Sequence, residues 1–246
     1  MSVKQRSRFA GLRITRGALI IAGLELGLSL VWLLCDVATR AQLAGWLAAT
    51  PANVFEHGRV WTLVTGVFLE MNFLALILHM TVLWMFVPTL ERFWGTARFY
   101  RFVAITSLAG TVVGCAVGFA LGVSAVDPGS VISGLDPFIY ASIVAFGIVY
   151  ARQPVQFFGV LPLTGRQLMY GILAFLALSV IIQQHWALGA AYGAAALAAA
   201  VLTSKRWSPA GMWKRWRIAR ARGRLKMMSG GKAQSPRPRD EHKWLN

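Results

Sequence analysis

The stretch RVWTLVTGVFLEMNFLALILHMTVLWMFVPTLERFWG, residues 59–95, decides how this chain is read. Residues 71–90 form an apolar run long enough to cross a bilayer, since about 20 helical residues span roughly 30 Å of hydrocarbon. One ionisable side chain, His79, lies inside that run, and Glu70 stands just before it. Such groups are costly in a bilayer and are functional candidates by default. Upstream, 36–70 is a mixed segment rich in Trp, Ala and Thr that reads as partly embedded but too broken to span.

The rest of the chain agrees with a membrane setting. Of 246 residues, 57% are apolar and only 14% are charged, and the mean hydropathy is +0.57. Soluble domains carry about 25% charged residues, so this chain has too few to cover a soluble surface. Its hydrophobicity excludes disorder for the bulk of the chain. Two cysteines, Cys35 and Cys115, both in apolar runs, exclude a disulfide scaffold. Besides 71–90, five further runs read as spanning helices: 17–35, 99–122, 131–150, 167–182 and 186–202. The expectation is an all-α membrane protein with one six-helix domain, 17–203, between a basic segment, 1–16, and a basic tail, 204–246.

The positive charges alternate along this layout. Five lie in 1–16, three after the second helix (Arg92, Arg98, Arg101), two after the fourth (Arg152, Arg166) and 13 in the tail. The intervening loops hold only Arg40 and Arg59. Positive charge collects on the cytoplasmic side, so both ends are expected there. The Ala- and Arg-rich composition and short loops suggest a bacterial inner membrane. The net charge of +16 is explained by orientation and by attraction to anionic lipid, without nucleic acid. In WKRWRIARARGRLKMM, 213–228, the tryptophans alternate with basic residues beside a membrane helix. Trp213, Lys214, Arg215, Trp216 and Arg217 are expected to lie at the interface, rings at headgroup level and charges on phosphates. The final stretch, 229–246, reads as disordered.

Two patterns inside the runs point to packing. Gly110, Gly114, Gly118 and Gly122 recur every four residues, and Gly189 and Gly193 repeat that spacing amid alanines. Small residues at this period let helix backbones approach closely. Among ionisable residues, Glu25 lies in the first run and Asp136 near the start of the fourth, just before Pro137. Asp136 in that place suits a helix cap. Glu25, Glu70, His79 and Asp136 read as too few and too peripheral for a proton relay. No metal or cofactor is expected.

Three segments together resemble the rhomboid family of intramembrane serine proteases. Residues 59–95 resemble its first loop and second helix, closing on a Glu-x-x-x-Gly signature as Glu91 and Gly95. ISGLDPFIYASIVAFGIVYAR, 132–152, resembles the fourth helix, and WALGAAYGAAALAAA, 186–200, the sixth. The resemblance implies a serine on the fourth helix and a histidine base on the sixth. Here Asp136 stands at the serine position and Trp186 at the histidine position, while Ala75 and His79 stand where the family has the histidine and asparagine beside the oxyanion. A hydroxyl is a poor nucleophile without its base, so the resemblance implies a pseudoprotease that binds transmembrane client proteins without cutting them. Phe68-Leu69-Glu70 loosely matches a catalytically dead, Golgi-resident branch of rhomboid-like proteins. Asp136 and Trp186 are expected to fill the former cavity, with Trp186 closing it against water and Glu70 and His79 nearby. Two alternatives stand beside this reading. One is an active protease with a shifted dyad of Ser133 and His185. The other is an ion pathway through Glu25, His79 and Asp136.

Overall fold

The computed structural model describes residues 14–123, 131–157 and 161–204, together with 213, 216–218 and 220. The chain divides into two units, Met1–Lys205 and Arg206–Asn246. The first is helical apart from one hairpin. In order it comprises α1 (Arg16–Leu34), α2 (Val37–Leu47), a π-turn (Ala52–Glu56), α3 (Thr62–Thr65), a 3-10 turn (Gly66–Phe68), α4 (Phe73–Met85), α5 (Val87–Trp94), α6 (Thr96–Ala120), α7 (Asp136–Val149), β1 (Pro154–Phe157), β2 (Leu161–Thr164), α8 (Gly165–Gln183) and α9 (Trp186–Thr203). Among the described residues, four helices, α1, α6, α8 and α9, are long and apolar enough to cross a membrane. A fifth crossing exists if Thr62–Phe68 and α4, bent by 83°, count as one span. α7 is apolar but short, at 14 residues.

Three expectations are corrected, two of helices and one of strands. The run 71–90 is broken at Phe86 into α4 and α5. Pro88 sits in the first turn of α5, and an unbroken helix would need from it an N–H it does not have. The fourth helix begins at Asp136 rather than 131. Residues 131–135 are instead irregular chain that bends at Gly134, with Ile132 N–H donating to Ala49 O and Gly134 N–H to Gly66 O, each at 2.8 Å. Between α7 and α8 the sequence predicted no strand, yet β1 and β2 pair antiparallel with Pro154 opposite Thr164. A capping box of Thr164 and Gln167 then starts α8, because side-chain oxygens satisfy free N–H groups there.

The centre of the unit is the junction of α6 and α9. A Cβ on Gly110 would meet Pro137 Cβ at 2.5 Å, one on Gly114 would meet Ala191 Cβ at 2.8 Å, and one on Gly118 would meet Pro51 Cγ at 2.7 Å. These three glycines form the close-approach face the sequence predicted. Gly122 does not belong to it: nothing lies within 4 Å and its φ is +65°, so it ends the helix in a conformation open to glycine. α9 answers with alanines rather than its glycines. Ala187, Ala191, Ala195 and Ala199 are all buried, one turn apart on one face. Gly189 and Gly193 are rotated about 200° away from that stripe. Gly189 packs on Val180 of α8, while Gly193 meets nothing.

The N-terminal end of α1 is fixed across space. Glu91 of α5 accepts hydrogen bonds from Gly17 N–H at 3.1 Å and Ala18 N–H at 3.0 Å, and also from the hydroxyls of Thr15 and Thr96. The first N–H groups of a helix have no partner within it, and a carboxylate at the positive end of the helix dipole satisfies them. Between α1 and α2, Asp36 takes the same role locally, accepting from Ala38 and Thr39 N–H. The Thr39 hydroxyl and amide hold its carboxyl below the usual carboxylate range.

In the second unit, the Trp213 and Trp216 rings lie 5.5 Å apart, and Arg220 stacks over Trp216 at 3.9 Å.

Candidate functional site

Four elements bring polar side chains to one buried place. On α1, Glu25 and Ser29 are one turn apart and both fully buried. The chain before α4 brings Glu70, whose N–H donates to the Ser29 hydroxyl at 2.9 Å. α4 brings His79, and the first residue of α7 is Asp136. Glu70 is fixed by its own turn, since Oε1 accepts from Asn72 N–H at 2.8 Å, while the Asn72 side chain caps α4.

His79 is the hub. Its Nδ1 lies 2.6 Å from Glu25 Oε1 and 3.9 Å from Glu70 Oε2. Its Nε2 lies 2.9 Å from Asp136 Oδ1. The other Asp136 oxygen accepts from the Tyr192 hydroxyl of α9 at 3.2 Å. Tyr192 in turn packs on Tyr140, with ring centroids 4.7 Å apart. Gly134, at φ +82°, lets the chain pass beside the Glu70 carboxylate and the His79 ring, where any Cβ would collide. His79, Glu25 and Glu70 are buried, whereas the Asp136 side chain is 27% exposed. If all three carboxyls were ionised they would carry more negative charge than one imidazolium could balance, and burial would make that imbalance expensive. Glu25, Glu70 and His79 place one potential ligand atom each within 4.8 Å of one another, a set able to hold a metal ion.

Several sequence expectations change here. The ionisable residues judged peripheral are one connected group. Asp136 is not a cap: Leu135 holds the cap position, no side chain caps α7, and Asp136 is turned to His79 and Tyr192 instead. Trp186 does not close a cavity. It is 53% exposed at the first position of α9, and Tyr192, nearly two turns further on, is what reaches Asp136. Ala75 is half-buried in the first turn of α4, and its N–H goes to the Asn72 side chain. Ser133 and His185 are both half-buried, and no hydrogen bond joins them among the described residues. In the tail, Trp213, Trp216 and Arg217 are exposed. Lys214, Arg215, segment 1–13 and the final stretch 229–246 lie outside the described residues. Sequence reading missed Tyr192 and Ser29. Each left a signal: Tyr192 is the one side chain with a hydroxyl in the alanine run 187–200, and Ser29 lies four residues after Glu25.

Long apolar helices enclosing a buried polar group define an all-α, multi-pass integral membrane protein. The chain belongs to the family described as "Eukaryotic integral membrane protein (DUF1751)", whose profile matches residues 20–204. Comparison with curated proteins gives no match. The family's eukaryotic description gives no support to a bacterial inner membrane.

Proposed function

We propose that this protein is a rhomboid-like membrane protein that binds a transmembrane helix of another protein and does not cleave it. In this reading α1, the bent span with α4 and α5, α6, α7, α8 and α9 are the six helices of a rhomboid-like core. The charge alternation puts both ends in the cytoplasm, and the basic tail rests on anionic headgroups. Asp136, at the position of the family's nucleophile, is committed to His79 and Tyr192, and no base stands at Trp186.

The observation that carries the binding reading is a groove of about 600 Å³ between α6, α8 and α9. Its floor is Gly189, Ala190 and Gly193, and its walls include Leu173, Leu176 and Val180. α8 buries side chains only near its start, at Leu168 and Met169. Farther along, it leaves Gly193 bare, with nothing within 4 Å of where a Cβ would be. A bare glycine on a membrane helix is a place for close approach by a second helix with small residues of its own. The occupant proposed is one transmembrane helix bearing a Gly-x-x-x-Gly face.

The test is energy transfer in dilute liposomes between the labelled protein and a dye-labelled synthetic single-span helix with that face. Saturable transfer is expected, clearly weakened by Gly193→Leu, because a leucine side chain there blocks the close approach of a second backbone. Transfer no greater than random co-location, or unchanged by Gly193→Leu, overturns the proposal.

A further inference from the structure

We propose that Glu25, Glu70 and the Nδ1 atom of His79 bind one divalent transition-metal ion of the zinc type, with Asp136 orienting the imidazole. The inference does not rest on client binding, although Tyr192 both lines that groove and reaches Asp136.

The donors fit such an ion. Two carboxylate oxygens and one imidazole nitrogen suit zinc, cobalt or manganese, whereas magnesium and calcium prefer oxygen alone. The spacing fits as well. A tetrahedral ion with bonds of about 2.1 Å sets its ligand atoms roughly 3.4 Å apart. The two distances from His79 Nδ1, 2.6 Å to Glu25 and 3.9 Å to Glu70, straddle that value. Both carboxylates can therefore meet an ion through small side-chain rotations. Three protein ligands leave a fourth position for water.

The surroundings of the three ligands point the same way. A metal-bound histidine commonly donates its other N–H to a carboxylate, which fixes the tautomer and the ring. Asp136 Oδ1, 2.9 Å from Nε2, occupies that place and leaves the Nδ1 lone pair facing the two glutamates. Tyr192 steadies Asp136 from the far side. The second, independent sign is an unmet need. Glu25 is fully buried. The Leu135 N–H lies near this carboxyl, and Oε2 makes no hydrogen bond of ordinary geometry among the described residues. A carboxylate so placed is strongly destabilising unless a proton or a cation neutralises it. A divalent ion neutralises Glu25 and Glu70 together. Asp136, at 27% exposure, is the least buried of the four groups.

The experiment uses the full-length, tag-free protein in detergent, stripped with a chelator and titrated with cobalt(II). The expected result is saturable uptake of one equivalent. It should give ligand-field absorption of a low-symmetry site, lack the charge-transfer band of a thiolate ligand, and be displaced by zinc(II). His79→Ala and Glu25→Gln should abolish it, and Asp136→Asn should weaken it about 10- to 100-fold, as loss of an orienting partner does. Ser133→Ala should leave it unchanged. Zinc(II) should also raise the midpoint of thermal unfolding of the wild-type protein, because an ion bound only by the folded state stabilises it. Absence of saturable uptake by the wild-type protein overturns the proposal and leaves shared protons to balance the carboxylates. Uptake that survives in a folded, monodisperse His79→Ala protein overturns it too. The wild-type titration decides the matter even where a variant fails to fold.

Discussion

Glu91 shows how much one side chain can hold at the residue scale. In sequence it is half of a Glu-x-x-x-Gly signature. In three dimensions it caps a helix more than 70 residues away, through Gly17 N–H, Ala18 N–H and the Thr15 hydroxyl, and it also accepts from Thr96 at the start of α6. Gly17 is glycine because a Cβ there would lie 2.6 Å from the carboxylate. Removing the carboxylate leaves buried N–H groups without partners, at about 1–3 kcal/mol for each group. Glu91→Ala is therefore expected to cost about 2–6 kcal/mol of unfolding free energy and Glu91→Gln about half that, since an amide oxygen still accepts. Denaturant titration in detergent measures both. Equal stability of all three proteins would mean that the contact contributes nothing.

Between elements, the decisive contact is the flat face of α6 against the alanine stripe of α9. Gly114 has Ala191 Cβ and Ala187 O within reach of any added atom, so Gly114→Leu must part the two helices. The expected loss is about 3 kcal/mol or more, beyond the 1–3 kcal/mol typical of overpacking, because backbone cannot give way as a side chain can. Gly193→Leu, on the opposite face of α9, should leave the unfolding midpoint within about 1 °C, the size expected of substitutions that touch nothing. Thermal unfolding of the two variants side by side is the check. A Gly193→Leu protein as unstable as Gly114→Leu would put both glycines in the helix interface.

At the scale of the whole molecule, the question is whether the protein hydrolyses peptide bonds. Its polar centre joins a histidine to three carboxylates, and the one serine hydroxyl there, that of Ser29, is engaged with the Glu70 N–H and the Phe68 carbonyl. Ser133 has no hydrogen bond to His185, and a serine nucleophile needs its base within reach. A serine-reactive fluorophosphonate probe should therefore leave the purified protein unlabelled while labelling an active rhomboid, and Ser133→Ala should look the same. Labelling that disappears in Ser133→Ala would make Ser133 a nucleophile and end the pseudoprotease reading.

Much of this molecule was legible in one dimension because it follows from local chemistry. The apolar runs announce a membrane protein, since backbone in hydrocarbon must satisfy itself as helix. The glycines at 110, 114 and 118 mark a close-packed face because their period matches the helix. The ionisable residues at 25, 70, 79 and 136 stand out because a bilayer penalises each of them. Partnership was not legible. Glu25 meets His79 across 54 residues and Asp136 meets His79 across 57, separations no spacing rule connects. The sequence likewise placed Trp186 in the cavity and Tyr192 nowhere. A helix rotation set by the alanine stripe of α9 turns the first to the outside and the second to Asp136. Chain composition and period thus determined which residues enter the membrane, because solvation is a property of each residue. Only the tertiary structure decided which of them face one another, because that depends on how whole helices rotate and dock.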